Sequence, residues 1–166
     1  MPVLKWSSIG LAVGLVTAVL AGQVGLLAGS PPSDLGVRDG RLKPPSTSPN
    51  SVSSQAGLYP DHPQQTAAAI APLALQGDGA ATLARLSDIV ESTPGARVVR
   101  SEPGYLYVQY TTRLMKYVDD VEFWFDPSAG VIQVRSASRI GESDLGANRS
   151  RIEAIRARLV LALPAG

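Results

Sequence analysis

The chain has no cysteine, and this absence excludes a disulfide-stapled scaffold, a thiolate metal site and a cysteine nucleophile. It also lacks an excess of either charge, because 15 lysines and arginines stand against 14 aspartates and glutamates in 166 residues. Bulk electrostatic binding of nucleic acid needs a strongly basic surface, so no nucleic-acid partner is expected. Only 17% of the residues are charged while 45% are hydrophobic, which excludes a highly charged disordered chain and allows one folded domain.

The motifs of common catalytic sites are missing as well. There is no Gly-x-Ser-x-Gly nucleophile turn, glycine-rich phosphate loop, His-Glu-x-x-His zinc helix or calcium-binding loop. His62 is the only histidine, and its neighbours Asp61 and Pro63 place it in a turn without a catalytic partner. The sequence therefore predicts no catalytic residue, no metal site and no cofactor.

No charged residue occurs between Lys5 and Asp34, and most of the residues between them are apolar. A helix that spans a bilayer needs roughly 20 mostly apolar residues. We therefore expect residues 1–29 to be a membrane anchor, with residues 7–29 in contact with the membrane. A cleaved secretory signal has a shorter apolar stretch of about 7–15 residues and ends in a small-residue site. Val19-Leu20-Ala21 offers such a site, and cleavage remains the alternative.

The short tail with Lys5 beside the apolar stretch is typical of an exported protein. We expect an inner-membrane anchor with the C-terminal domain outside the cytoplasm, or a secreted or periplasmic protein if the signal is cleaved. Residues 1–29 contain one basic residue and no acid, so 14 basic residues remain against 14 acids. A net charge of zero on the exported part argues against a polyanionic partner.

Residues 30–63 differ from the rest of the chain in composition. They contain seven prolines and seven serines but few large aliphatic residues. Such a segment cannot build a core of its own, and its prolines favour extended or turn backbone. The sequence predicts a tether followed by irregular chain.

Residues 64–166 are predicted to form an α+β domain that follows the N-terminal transmembrane or signal helix, in the order helix, four strands, helix. Asp78 is a suitable helix N-cap, and apolar residues follow it at spacings of three and four until Pro94 and Gly95. Asp144 marks the start of the last helix in the same way. Short turns between the strands predict a four-stranded antiparallel meander with flanking helices. Aromatic, β-branched or alternating residues mark the four strands: 96–101, 105–112, 118–125 and 131–139.

The alternation in the third and fourth strands also predicts how they pair. Keeping the apolar residues of both strands on one face requires Phe125 opposite Ile132. Phe123 then lies opposite Val134. The charged residues that this register brings together on the other face are predicted to form structural ion pairs: Asp120, Glu122 and Arg135.

A candidate ligand site lies where the last strand leads into the last helix. Two arginines flank two serines at alternate positions, and the helix start offers free backbone N–H groups, so these groups suit a carboxylate or a phosphate. Buried arginines that act as structural ties would give the same pattern, and both interpretations stay open. The candidate anion- or ligand-binding residues are Arg135, Ser136, Ser138, Arg139, Asp144, Asn148 and Arg149.

Three stretches of sequence stand out together: Ser48-Pro49-Asn50-Ser51-Val52-Ser53-Ser54, Asp119-Asp120-Val121-Glu122-Phe123, and Ser143-Asp144-Leu145-Gly146-Ala147-Asn148-Arg149-Ser150-Arg151-Ile152-Glu153. Through them the chain resembles, from about residue 42 to residue 159, the bacterial and chloroplast proteins called domain of unknown function 1499. That family usually carries two cysteines flanking its Ser-Pro-Asn motif, where this chain has Pro45 and Ser51. The resemblance implies a lost disulfide and an oxidising compartment, and it supplies no function.

The sequence thus favours a membrane-anchored envelope protein with a non-enzymatic structural or accessory domain. A binding module for an anionic small molecule or a lipid headgroup is the alternative, and an enzyme is the third choice. The expected partners are the membrane and either an envelope protein or an anionic ligand.

Overall fold

The computed structural model describes residues 2–161, with side chains from Ile9 onward, so residues 7 and 8 of the predicted membrane segment lie outside the described side chains. The helices are α1 (Pro2–Gln23), α2 (Gln65–Ala68), α3 (Gly79–Glu91) and α4 (Ala147–Leu161), with a 3-10 turn at Ala56–Leu58. The strands are β1 (Ser51–Ser53), β2 (Leu73–Ala74), β3 (Ala96–Glu102), β4 (Tyr105–Thr111), β5 (Val118–Asp126) and β6 (Val131–Ser138).

The strands form one antiparallel sheet in the order β1-β6-β5-β4-β3, and β2 also pairs with β6. The α+β class and the antiparallel pairing are as predicted, but the described residues form six strands rather than four. Strands β1 and β2 have only three and two residues, which is too short for an alternating pattern to show in sequence. Both are defined by their pairing with β6, a long-range contact.

The predicted register between β5 and β6 is confirmed, with Phe125 opposite Ile132 and Phe123 opposite Val134. All four residues face the helices. A slip of one residue would turn this apolar set toward the other face, so burial of one face specifies the pairing. Glu122 consequently lies directly opposite Arg135.

Helices α3 and α4 cover one face of the sheet and enclose the main apolar core. Asp78 caps α3 as predicted, because its side chain accepts the backbone N–H of Ala81 at 2.7 Å. Gly79 follows the cap and lies against the ring of Phe125, where a Cβ would be 2.4 Å from the ring. The start of α3 therefore packs directly on β5. The core includes Leu86, Val90, Leu106, Val108, Val121, Phe123, Ile132, Val134, Ile152 and Leu159.

The other face of the sheet is covered by residues 34–44, which belong to the segment predicted to be a tether. Leu42 is buried against Tyr105 and Tyr107. The backbone N–H of Leu42 donates to the Gln55 side chain at 2.8 Å, and the Tyr59 hydroxyl donates to the Leu42 carbonyl at 2.8 Å. The proline-rich segment is thus the second covering layer of the sheet, because a few apolar residues and long-range hydrogen bonds hold it there, and the folded part begins well before residue 64.

Helix α1 ends beside the loop that precedes β5. The Gln23 side-chain amide donates to the Leu114 carbonyl at 2.9 Å. Most of the large apolar side chains described for α1 are exposed. Within residues 2–161, no helix combines the length and the apolarity needed to cross a membrane.

Candidate functional site

The charged residues of β5 and β6 divide between the two faces of the sheet. Asp120 and Glu122 point to the face covered by residues 34–44, together with Arg135. Asp119 points to the face covered by the helices, where it meets Arg151 of α4. The sheet therefore holds two polar clusters with its backbone between them, as strand alternation requires.

On the face covered by residues 34–44, Asp120 and Arg139 form a two-point ion pair. Arg139 Nε donates to one carboxylate oxygen at 2.9 Å and Nη2 to the other at 2.8 Å. The Tyr107 hydroxyl also donates to Asp120, and it accepts from the Gln109 amide at 2.8 Å. Burial, and then the bond to Asp120, raise the pKa of Tyr107, while the same carboxylate raises the pKa of Arg139. The positive charge of Arg139 therefore balances the negative charge of Asp120 inside the fold.

Glu122 and Arg135 form a second and looser pair on the same face. The Arg135 Nη1 atom lies 3.7 Å from Glu122 Oε2, and Arg135 Nε donates to the Pro44 carbonyl at 3.1 Å. Glu122 Oε1 accepts from the Tyr105 hydroxyl at 2.7 Å and from the Gly36 N–H at 2.8 Å, whereas Oε2 has no hydrogen-bond partner among the described residues. Burial lowers the pKa of Arg135, and burial followed by the nearby Glu122 raises the pKa of Tyr105.

Asn148 is the centre of the cluster on the helix face. Its side-chain oxygen accepts from Ser136 and, at 2.6 Å, from Arg151. Its amide donates to the Asn50 carbonyl at 2.9 Å and to the Ser138 hydroxyl at 3.0 Å. Asn148 is fully buried, so these bonds tie α4 to β6 and to the chain just before β1.

Arg151 completes this second cluster. It donates to Asp119 and to Ser136, and its guanidinium lies 4.6 Å above the centre of the Tyr110 ring. The guanidinium, 14% exposed, therefore pairs with a carboxylate that is 6% exposed and packs on an aromatic ring.

The structure does not bring the seven candidate ligand residues to one place. Arg135 and Arg139 lie on the face covered by residues 34–44, whereas Ser136 and Ser138 lie on the helix face, where they meet Asn148 of α4. The remaining two candidates, Asp144 and Arg149, bind backbone groups.

Asp144 and Arg149 serve the backbone around the start of α4. Asp144 accepts the N–H groups of Gly146 at 3.0 Å and Asn148 at 2.8 Å. Burial acts to raise the pKa of Asp144, but these N–H groups outweigh it and lower the pKa. Arg149 donates to the carbonyls of Ala67 and Ala69, both at 2.9 Å. The helix start is therefore occupied by an internal carboxylate.

Sequence reasoning missed three partners of these clusters: Tyr105, Tyr107 and Arg151. A signal was present for each. The two tyrosines alternate along β4, and Arg151 follows Asn148 by three residues, so it lies on the same side of a helix. What sequence did not show was which neighbouring strand or helix each side chain would meet.

A cleft of about 450 Å³ lies on the outer side of residues 34–44, the covering segment. Arg38, Arg41 and Lys43 line it, and Lys43 forms an ion pair with Asp34 at 2.7 Å. The hydrogen bond from Lys43 lowers the pKa of Asp34. The cleft also includes Pro44, whose carbonyl binds Arg135, so the cleft adjoins the buried ion pairs.

Within the described part of the chain, no group of three or more His, Cys, Asp or Glu side chains is placed to hold a metal ion. Residues 41–159 match the family model described as protein of unknown function, DUF1499. Comparison with curated proteins and with solved structures finds no match.

Proposed function

The chain belongs to the DUF1499 family, and from this premise we propose that it is a non-enzymatic accessory protein of the cell envelope. In this proposal the N-terminal segment holds the chain at a membrane, and the folded domain lies outside the cytoplasm. The observation that carries the proposal is the exposure of apolar side chains around the described part of α1.

The proposed attachment of α1 to a membrane is also supported by the absence of charge from residue 6 to residue 33. A helix that is apolar all round is ordinarily buried, in a protein core or in lipid. The domain covers only the end of α1, so a bilayer is the environment that would bury the remainder. The exposed residues are Ile9, Leu11, Val13, Leu15, Val16 and Leu20.

The pairing of the buried carboxylates supports a non-enzymatic role. Asp119, Asp120 and Glu122 each face an arginine inside the fold. General acid and base catalysis needs carboxylates that converge on a substrate in an open site. Here the carboxylates point to opposite sides of the sheet and are covered, which suits a rigid accessory domain.

The proposal is tested on the full chain expressed in its native compartment. Mass spectrometry should find the N-terminal segment on the mature protein, and the protein should sediment with membranes. A double variant, Leu11→Arg with Leu15→Arg, should release it because charged side chains are costly to bury in lipid. Leu58→Arg, which changes an exposed leucine of the domain, is the matched control.

A soluble mature protein that starts between Ala21 and Ser30 would overturn the anchor. That result would instead support a secreted or periplasmic protein with a cleaved signal.

The second candidate function is binding of an anionic small molecule or a lipid headgroup. It is favoured by the basic cleft, because Arg38 and Arg41 are exposed at the rim of a short hairpin with Asp39 and Gly40 at its turn. Calorimetric titration with inorganic phosphate, and separately with phosphatidylglycerol vesicles, tests it. Arg41→Ala should weaken binding and Arg97→Ala, on the exposed edge strand, should not. Equal effects of the two variants would count against the cleft.

A further inference from the structure

One end of the domain carries an exposed apolar surface directly beside the end of α1. Two loops form it, residues 112–117 before β5 and residues 139–146 after β6, and together they are termed the end loops. We infer that the end loops lie against the surface of a lipid bilayer and dip apolar side chains into it. The inference rests on the proposed membrane attachment and adds which surface of the domain faces the lipid.

The end of α1 is held close to the end loops, which fixes where a bilayer around the helix would meet the domain. Besides the bond from Gln23 to Leu114, a Cβ at Gly22 would lie 2.3 Å from the Met115 carbonyl oxygen. A Cβ at Gly29 would lie 2.7 Å from the Arg139 Cβ. Gly22, near the end of α1, thus lies against the backbone of the first loop, and Gly29 lies against side chains of the second.

The side chains at the tips of the end loops are apolar and exposed. Leu145 is 97% exposed and Leu114 is 63% exposed. Leu27 shares an open groove of about 370 Å³ with Tyr117 and Leu145, so the apolar surface continues from the chain after α1 into the loops. An apolar surface that continues a lipid-exposed helix has lipid as its natural contact.

The backbone at Leu145 supports this inference independently. Leu145 has φ +51°, a left-handed conformation that is unfavourable for a leucine. The Asp144 carboxylate holds it there by accepting the N–H groups of Gly146 and Asn148, and the Ser143 hydroxyl accepts the Leu145 N–H at 3.2 Å. The fold therefore presents this leucine outward at a cost, and within the described domain the side chain gains almost no contact in return.

The charges around the patch are compatible with a headgroup layer. Arg113 is exposed and Lys116 half-exposed in the first loop, and both are long enough to reach phosphates while their stems stay in apolar surroundings. Of the two acids in the second loop, Asp144 is held by backbone N–H groups, and Glu142 is exposed and accepts a hydrogen bond from the Ser48 hydroxyl at 3.2 Å.

Single cysteines give a direct test, since the chain has none of its own. Leu114→Cys and Leu145→Cys are labelled with an environment-sensitive fluorophore in the full chain and reconstituted into vesicles of phosphatidylcholine and phosphatidylglycerol. Ala129→Cys, in the exposed turn at the other end of β5, is the matched control, and Leu11→Cys reports on the helix. Nine residues of strand place Ala129 roughly 27 Å from the end loops.

The expected result is a blue shift and quenching by lipid-borne nitroxide at both end-loop positions and at Leu11, with no change at Ala129. Lipid contact at Leu11 without contact at Leu145 and Leu114 would overturn this inference and keep the anchor. Lipid contact at the end loops without contact at Leu11 would keep the surface and overturn the anchor. Absence of lipid contact at all three positions would overturn both. Circular dichroism of each variant confirms that it is folded.

Discussion

Removal of the Arg139 side chain is the perturbation that best distinguishes a structural tie from a ligand site. In the folded protein its guanidinium holds Asp120 at two points, and the two side chains are 6% and 2% exposed. In Arg139→Ala the carboxylate keeps the Tyr107 hydroxyl but loses the only cation within 4 Å of it among the described residues. Because the Asp120 side chain is only 2% exposed, loss of the guanidinium leaves its carboxylate buried without its ion-pair partner.

The magnitude follows from this burial. Exposed ion pairs contribute about 0.2–1 kcal/mol, whereas breaking a buried pair by removing one partner costs about 3–5 kcal/mol. A domain has a total unfolding free energy of roughly 5–15 kcal/mol. For a domain of this size each kcal/mol lowers the melting temperature by roughly 4 °C, so the variant should melt about 12–20 °C lower or fail to fold.

Thermal melts by circular dichroism measure the effect. Arg97→Ala is the matched control because Arg97 is exposed on the edge strand β3 and bonds only the Gln109 side chain there, so its loss should be within about 0.5 kcal/mol. The double variant Asp120→Asn with Arg139→Ala should recover part of the stability, since an amide is less costly to bury than a charge. An Arg139→Ala melt no lower than that of Arg97→Ala would refute the reasoning.

Three further outcomes are expected. Gly95→Ala should destabilise the domain more than Gly104→Ala in thermal melts. Both glycines have φ near +80°, but of the two only Gly95 would bring a Cβ against a backbone oxygen, that of Thr111 at 2.5 Å. Hydrogen bonds, led by the one from the Ser128 side chain, lower the pKa of Asp126. The stability that the ionised carboxylate contributes is complete above about pH 4 and is lost as the pH falls through the lowered pKa. Asp126→Asn should remove this loss. Phenols with a raised pKa stabilise the fold fully below about pH 10 and progressively less above it, so an absorbance titration should show late ionisation of Tyr105, Tyr107 and Tyr110.

Each outcome has a contrary result. Equal melting temperatures of the two glycine variants would show that Thr111 yields without cost. The Asp126 argument fails if Asp126→Asn has the same acid dependence as the parent chain. Ionisation of all five tyrosines near pH 10 in the folded protein would contradict the burial of the three phenols.

Much of the local structure could be predicted because its causes are local. Asp78 caps α3 with its own side chain, and alternating residues in β5 and β6 determined both strands and their pairing. The ion pairing of Glu122 with Arg135 followed from that register alone. Asp144 was predicted to cap the last helix at that point, but α4 begins only at Ala147. The Asp144 side chain instead accepts the N–H groups of Gly146 and Asn148 across a turn that precedes the helix.

The covering layer could not be predicted in the same way. Residues 30–63 have the composition of a tether, yet Gly36 bonds Glu122 from 86 residues away and Pro44 bonds Arg135 from 91 residues away. These contacts bury a strand face whose charges, by themselves, predict a solvated surface. The short strand β1 has the same origin, since its three residues are a strand only because β6 lies beside them.

The sequence by itself determined the α+β class, the long strands, the start of α3 and the side of the sheet on which each charged residue of β5 and β6 lies. The alternation of side chains along a strand and the capping of a helix depend on neighbours along the chain. Only the tertiary structure decided that the candidate residues serve different clusters, in which Arg139 pairs with Asp120 and Asn148 accepts a hydrogen bond from Arg151. Burial depends on which distant segments cover each face, and a buried charge must find its partner there.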